Sequence, residues 1–229
     1  MLDRIQGMES ERIAERITMV ANALRPFDAR VVEEFPTRAL VAWCRDQVST
    51  LGVRRMRWQV HSEEPLYTDP WLDVRVADVE LPDGRHLNHR LIRTAPGAGA
   101  VVTDDRQRVL LIWRHRFITD SWGWEIPIGK IEDDEEPIAA AAREVEEETG
   151  WQPGPLRPLL RVQPTNGISD SVHHIFRADS AIYTGPPTEA WEAERVEWVP
   201  LADIRDLVGK GDIVGGTSMV GLLYVLTEP

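Results

Sequence analysis

The sequence predicts an α+β (mixed α/β) domain, a sheet packed between helices, preceded by a helical extension. Three observations carry this. From Trp58 onward, apolar residues alternate through several short runs, the signature of half-buried strands. An alanine-rich run, Ala139 to Ala142, continues into Arg143-Glu144-Val145 with helical spacing of its polar face. Before Trp58 the periodicity is helical throughout.

In chain order, residues 9–25 read as an amphipathic helix with Ile13, Ile17, Val20, Ala21 and Leu24 on one stripe, stopped by Pro26. A second helix starts near Thr37, an N-cap after Pro36. Its stripe is Leu40, Val41, Cys44, Val48 and Leu51, and Gly52 suits its C-cap. The two form a helix hairpin, read as a packing or dimerisation element. Residues 71–93 alternate on both sides of Pro82-Asp83-Gly84, which predicts a β-hairpin. Residues 97–117 repeat the pattern: Ala100 to Val102 is one arm, 104–107 a polar turn, and Val109 to Trp113 a buried strand. The segment ITDSWGWEIPI reads as a loop leading into the acidic stretch. Beyond the alanine-rich helix, residues 152–158 are a proline-rich connection, LLRVQ a strand, PTNGISD a loop and SVHHIFRA another strand. His173 and His174 are neighbours on that strand and point to opposite faces, so they cannot share one ion. Tyr183 to Glu194 is a Gly-, Pro- and Glu-rich loop and Arg195 to Pro200 a strand. Ala202 to Val208 and Ser218 to Leu226 are helices, the latter capped by Thr217 or Ser218.

The chain has 229 residues and a net charge of −12, which speaks against a nucleic-acid partner because phosphate-backbone binding requires a basic face. The single cysteine, Cys44, allows no internal disulfide and suits a reducing cytoplasm. No apolar run reaches membrane-spanning length, and the amino terminus lacks a signal-peptide core. The expectation is a soluble cytoplasmic protein with no membrane contact.

Chemistry concentrates in Gly129 to Trp151, which holds nine carboxylates in twenty-three residues. On a helix, Glu144, Glu147 and Glu148 are spaced i, i+3, i+4 and share a face, where like charges repel unless a cation holds them. Carboxylate oxygens are the ligands a hard divalent cation prefers. The glycine and short loop ahead of the helix let backbone approach that cation or a phosphate.

Written as spacing, the stretch is Gly129, five residues, Glu135, seven residues, Arg143-Glu144-Val145, one residue, Glu147-Glu148, one residue, Gly150 and apolar Trp151. This resembles the Nudix hydrolase signature at every defined position. The resemblance implies an α/β/α sandwich with residues 58–229 as the catalytic unit, including the hairpin 71–93, and residues 1–57 as a helical extension. It implies metal-dependent hydrolysis of a diphosphate linkage in a nucleoside diphosphate joined to another group, with Mg²⁺ (or Mn²⁺) as cofactor. On that resemblance Glu144, Glu147 and Glu148 are metal ligands, and the carbonyl of Ile128 completes the coordination. Glu147 also assists catalysis, and Arg143 orients the glutamates by ion pairing. The general base is sought on the loop carrying Glu189, Glu192 and Glu194, with Glu192 the aligned residue.

The segments VRVADVELPDGRHLNHRLI, GAGAVV, RHRF and WEIPIGKIE extend the resemblance to the ADP-ribose/ADP-sugar pyrophosphatase branch. There Arg116 and Glu125 match residues near substrate, and a base could stack on Trp122 or Trp124. Two positions depart from the branch: Asn166 stands where a proline is usual, and Ser171 replaces a common acid. Both lie on the loop expected to face the far end of the substrate, which makes Asn166 a candidate contact. The resemblance also implies a homodimer whose amino-terminal strands help form the partner's site. Alternatives are a Nudix nucleoside triphosphate pyrophosphatase and a non-catalytic Nudix domain that senses a nucleotide.

Overall fold

The computed structural model describes residues 57–189 and 191–228. The helix hairpin expected within residues 9–52 lies outside them. Twelve strands and three α-helices of four or more residues are formed among the described residues. In chain order they begin with β1 (Gln59–Thr68), β2 (Asp73–Glu80), β3 (His86–Arg93), β4 (Gly97–Val102), β5 (Arg108–Arg116), β6 (Ser121–Glu125) and β7 (Ile128–Lys130). Helix α1 (Pro137–Thr149) follows, then β8 (Trp151–Pro153), β9 (Arg157–Val162), β10 (His173–Ala178), β11 (Ala181–Tyr183) and β12 (Arg195–Pro200). A 3₁₀ turn at Leu201–Asp203 leads into α2 (Ile204–Lys210), and α3 (Gly216–Val225) closes the described chain.

The predicted hairpin is present as β2 and β3, in register from Asp73 opposite Arg93 to Glu80 opposite His86. Its turn is closed by Gly84 at φ 82° and by Asp83, whose carboxylate accepts the Arg85 N–H at 3.1 Å. Sequence reading misses the third strand of this sheet. β1 pairs antiparallel with β2, yet it is almost wholly exposed and carries Pro65, so it shows no alternation. Proline and missing periodicity are what an edge strand tolerates.

Residues 97–117 do not fold as a second hairpin. β4 and β5 meet only through a bridge between Thr103 and Val109, and they belong to different sheets. One sheet runs β7-β4-β10-β9, with β4 and β10 parallel; the other runs β12-β5-β6. The periodicity of β4 and β5 is that of strands in either arrangement, so it could not choose the pairing. The segment ITDSWGWEIPI is likewise not one loop: it contains all of β6 and begins β7. Only Trp124 and Ile126 of its large apolar residues are buried, while Ile118 and Trp122 are exposed, so the segment shows no clear strand pattern in sequence. The proline-rich connection begins with a strand, β8, paired to β11. A fourth small difference is that the last two helices start two residues later and two residues earlier than the sequence suggests, at Ile204 and Gly216.

Helices cover both faces of the central sheet. Ala98, Ala100 and Val102 of β4 pack with Ala140, Ala141 and Val145 of α1. Val101, between them on the strand, faces the opposite cluster with Ile126, Ile175, Ile204 and Leu222. Alternation along β4 therefore feeds two cores, as a sheet between helical layers requires.

Helix α1 starts at Pro137, the first-turn position a proline favours, and its alanines keep it close to the sheet. It ends at Gly150 in the left-handed conformation, φ 74°, whose N–H donates to the Glu146 carbonyl at 2.8 Å. A Cβ at Gly150 would stand 2.0 Å from the Gly185 carbonyl oxygen, whereas one at Gly84 would meet nothing within 4 Å among the described residues. Gly84→Ala should therefore cost only the left-handed backbone strain, about 1 kcal/mol. Gly150→Ala adds a backbone clash and should cost at least about 2 kcal/mol. Chemical denaturation of the two variants checks this; equal losses would show that the Gly150–Gly185 contact is dispensable.

Candidate active site

The acidic face of α1 adjoins its buried stripe. Glu144 and Glu148 are both buried, and Glu148 is only 1% exposed. Each is held by specific partners. Arg114, on β5, donates from Nη1 to Glu148 at 3.0 Å and from Nη2 to Glu192 at 2.7 Å. The other Glu148 oxygen accepts the N–H of Ile128 at 2.9 Å. Arg143 donates to Glu144 and Glu147 at 2.8 Å each, to both oxygens of Glu135 at 2.9 Å, and to the Lys130 carbonyl at 3.0 Å. Two guanidinium groups thus join the loop, the helix, β5, β7 and the Glu192 segment.

Gly129 makes this possible. A Cβ there would lie 2.2 Å from the Glu144 carboxyl, so that carboxyl rests directly against the β7 backbone. The resulting cradle is lined by carboxylate oxygen, the donor set that Mg²⁺ and Mn²⁺ accept.

Burial pushes the Glu148 carboxyl up to about 9, against the opposing pull of the Arg114 charge and the Ile128 N–H. Burial also raises Glu144, partly offset by Arg143. Glu189 is raised by burial and then by the neighbouring Glu192 and Glu147 charges.

Beside the carboxylates lies a cavity of about 890 Å³. Arg114, Arg116, Glu125, Ile128, Gly129 and Glu192 all line it. Arg116 grips Glu125 with both ends of its fork, the Nε bond being 2.9 Å. The opposite wall holds the first turn of α3 and His173, whose Nδ1 lies 2.8 Å from the Thr217 hydroxyl. Trp191 and Phe117, 79% and 82% exposed, stand at its rim.

Not every residue singled out in the sequence gathers here. Trp124 is buried against Trp113, ring centres 5.1 Å apart, with the Arg195 guanidinium over it at 5.0 Å. That leaves no open face for a base. Trp122 keeps an exposed flank but packs on Trp113 and His115. Asn166 is exposed on a loop that docks on β3, through Ile92 to Ile168 at 2.8 Å and Arg93 to Asp170 at 3.0 Å, and is not part of the cavity wall. Arg114 is the residue that sequence reading missed. Residues two apart on a strand share a face, so the choice of Arg116 in RHRF already implied Arg114 beside it.

The NUDIX domain family matches residues 93–214. The chain belongs to the Nudix family. A second family, the nucleoside diphosphate sugar hydrolase N-terminal domain, matches residues 58–92. A CMP-5'-(N-acetyl-N-hydroxy-3-aminopropyl)phosphonate hydrolase of Streptomyces rubellomurinus (strain ATCC 31215) is 47% identical over 172 residues, 75% of this chain and 83% of that protein. An ADP-ribose pyrophosphatase of Bacillus subtilis (strain 168) is 30% identical over 167 residues, 72% of this chain and 90% of that one. A crystal structure of an ADP compounds hydrolase superposes with a TM-score of 0.66 at 19% identity, covering 76% of this chain and 95% of that chain, and shows the same fold. The Nudix chain is accordingly a pyrophosphohydrolase acting on a diphosphate linkage in a nucleotide joined to another group. Nudix hydrolases generally use a divalent metal. Among the described residues no helix is long and apolar enough to cross a membrane.

Glu148 also sets a pH dependence. Its carboxyl rises on folding from 4.5 to about 9, so the folded state binds the extra proton between those values. The stabilisation is complete below 4.5 and is lost as pH climbs toward 9. Metal-free protein should therefore lose stability across that range, and Glu148→Gln, which cannot ionise, should flatten the slope. Urea midpoints at several pH values in chelator read this directly; an unchanged slope in the variant would contradict it.

Proposed function

We propose that residues 58–229 form a Mg²⁺- or Mn²⁺-dependent hydrolase that cleaves the anhydride joining a nucleoside monophosphate to a phosphonate or sugar phosphate. The observation that carries the reading is the buried pair Glu144 and Glu148, held against a glycine-backed cradle at the edge of an 890 Å³ cavity with arginines in its wall. In this reading Glu144, Glu147 and Glu148 hold the cation, the Ile128 carbonyl completes its shell, and Arg143 keeps the glutamates in place. A cation held there would shield phosphate charge and lower the pKa of the attacking water. Arg114 and Arg116 bind the phosphoryl oxygens, for which a planar fork is suited. Glu192, bonded to Arg114 at 2.7 Å beside Glu148, takes the proton of the attacking water. A new P–O bond forms at one phosphorus, the anhydride P–O bond breaks, and the bridging oxygen leaves with the other. The products are a nucleoside monophosphate and the second phosphorylated or phosphonylated group.

The phosphonate class is supported by the Streptomyces relative, more similar to this chain than the Bacillus ADP-ribose pyrophosphatase. An ADP-ribose or NDP-sugar substrate is the second reading, favoured by the match at residues 58–92. We further read the β1-β2-β3 sheet as the element of a homodimer and the chain as cytoplasmic, in keeping with its one cysteine.

With saturating Mg²⁺, a cytidylyl-phosphonate should be turned over with higher kcat/KM than ADP-ribose, GDP-mannose or nucleoside triphosphates. Mass spectrometry of products formed in ¹⁸O-water identifies the attacked phosphorus. Turnover confined to triphosphates would replace this reading. Glu148→Gln should lower kcat by at least about 100-fold with an unchanged circular dichroism spectrum, and excess chelator should stop the parent enzyme. Near-normal hydrolysis in either case would remove Glu148 from the metal site.

A further inference from the structure

The β1-β2-β3 sheet carries a second constellation, unrelated to the signature glutamates. His61 of β1, Glu80 of β2 and His86 of β3 each offer a ligand atom, and the three atoms lie within 4.8 Å of one another. Each of the three strands contributes one residue. We propose that His61, Glu80 and His86 form a binding site for a transition-metal cation of the Zn²⁺ type, separate from the catalytic cation.

Backbone geometry aims these residues at each other. Glu80 and His86 are directly opposed in the β2–β3 ladder, so their side chains leave the same face. The β1–β2 register breaks between Val60 and Ser62, which makes His61 the bulged residue. A bulge is a device that re-aims a side chain out of the ladder's alternation. As a result His61 Nε2 lies 2.7 Å from Glu80, and the two imidazole rings are 5.2 Å apart.

The environment of His86 favours a metal over a chance cluster. Asp78 lies 2.7 Å from its Nδ1, fixing the ring and leaving the other nitrogen available. A carboxylate behind a histidine is the usual outer-shell partner at metal centres, where it sets the tautomer and strengthens the ligand. Two imidazoles with one carboxylate select zinc-like borderline cations over Mg²⁺, which takes oxygen. Zinc bonds of roughly 2.0–2.2 Å place tetrahedral ligands roughly 3.5 Å apart, so the three groups need side-chain adjustments only. All are at least partly exposed, which leaves an entry path and a fourth position for water. A bound cation would tie β1, the edge strand with little burial of its own, to β2 and β3.

The test uses the untagged full chain in millimolar Mg²⁺, which occupies oxygen-donor sites. Equilibrium dialysis against micromolar Zn²⁺ should retain one more zinc per chain in the parent than in His61→Ala or His86→Ala. X-ray absorption at the zinc edge of the parent protein should show two imidazoles in the shell, a result that depends on no variant. Equal zinc retention by parent and variants, or a shell of oxygen ligands alone, overturns the proposal.

Discussion

The site depends on how closely helix α1 lies against the sheet. Ala140 and Ala141 are fully buried against β4, and Gly129 removes the one Cβ that would stand between β7 and the Glu144 carboxyl. Larger residues at 140 and 141 would push the helix off the sheet, and the glutamates would then face water rather than a protein wall. Close approach is what makes their charge costly. Glu144 and Glu148 are desolvated by the same contact that positions them, and burial raises both carboxyls. Arg114 and Arg143 offset that cost, their guanidinium groups paired with these carboxylates.

This arrangement explains why Arg114 matters to fold and chemistry together. It is nearly buried, bridges Glu148 and Glu192, and keeps its Nε without a partner among the described residues. A buried guanidinium with spare hydrogen-bonding capacity at a cavity wall suits an anionic ligand. It also draws the loop before β12 toward α1, assisted by the Glu189 N–H donating to the Glu147 carbonyl at 3.1 Å. The loop carrying Glu189 and Glu192 is thereby tethered to the signature helix through two independent bonds, one from a side chain and one from backbone.

Much of this was legible in the residues and part of it was not. The helix could be read because alanine propensity, Pro137 and Gly150 agree on its limits, and the hairpin because Pro82-Asp83-Gly84 leaves few alternatives. Sheet membership could not be read. β4 and β5 look like consecutive arms, but their apolar periodicity is equally satisfied in separate sheets, and only the two-faced core decides. Edge strand β1 was invisible because little of it is buried. Trp124 was misleading for the opposite reason: an aromatic beside a site motif reads as a ligand contact until its burial is known. The His61–Glu80–His86 group was hidden by sequence separation, being assembled from three strands and a bulge.

A bare backbone at position 129 lets the Glu144 carboxyl rest against β7, where a cation would meet it. Gly129→Ala is the decisive variant, because the nearest atoms the added methyl meets are the carboxyl end of the Glu144 side chain, which can swing aside without moving backbone. The variant should keep the parental thermal midpoint within a few degrees, need more Mg²⁺ and show at least about 10-fold lower kcat/KM. A folded Gly129→Ala enzyme with parental activity and parental Mg²⁺ dependence would contradict it.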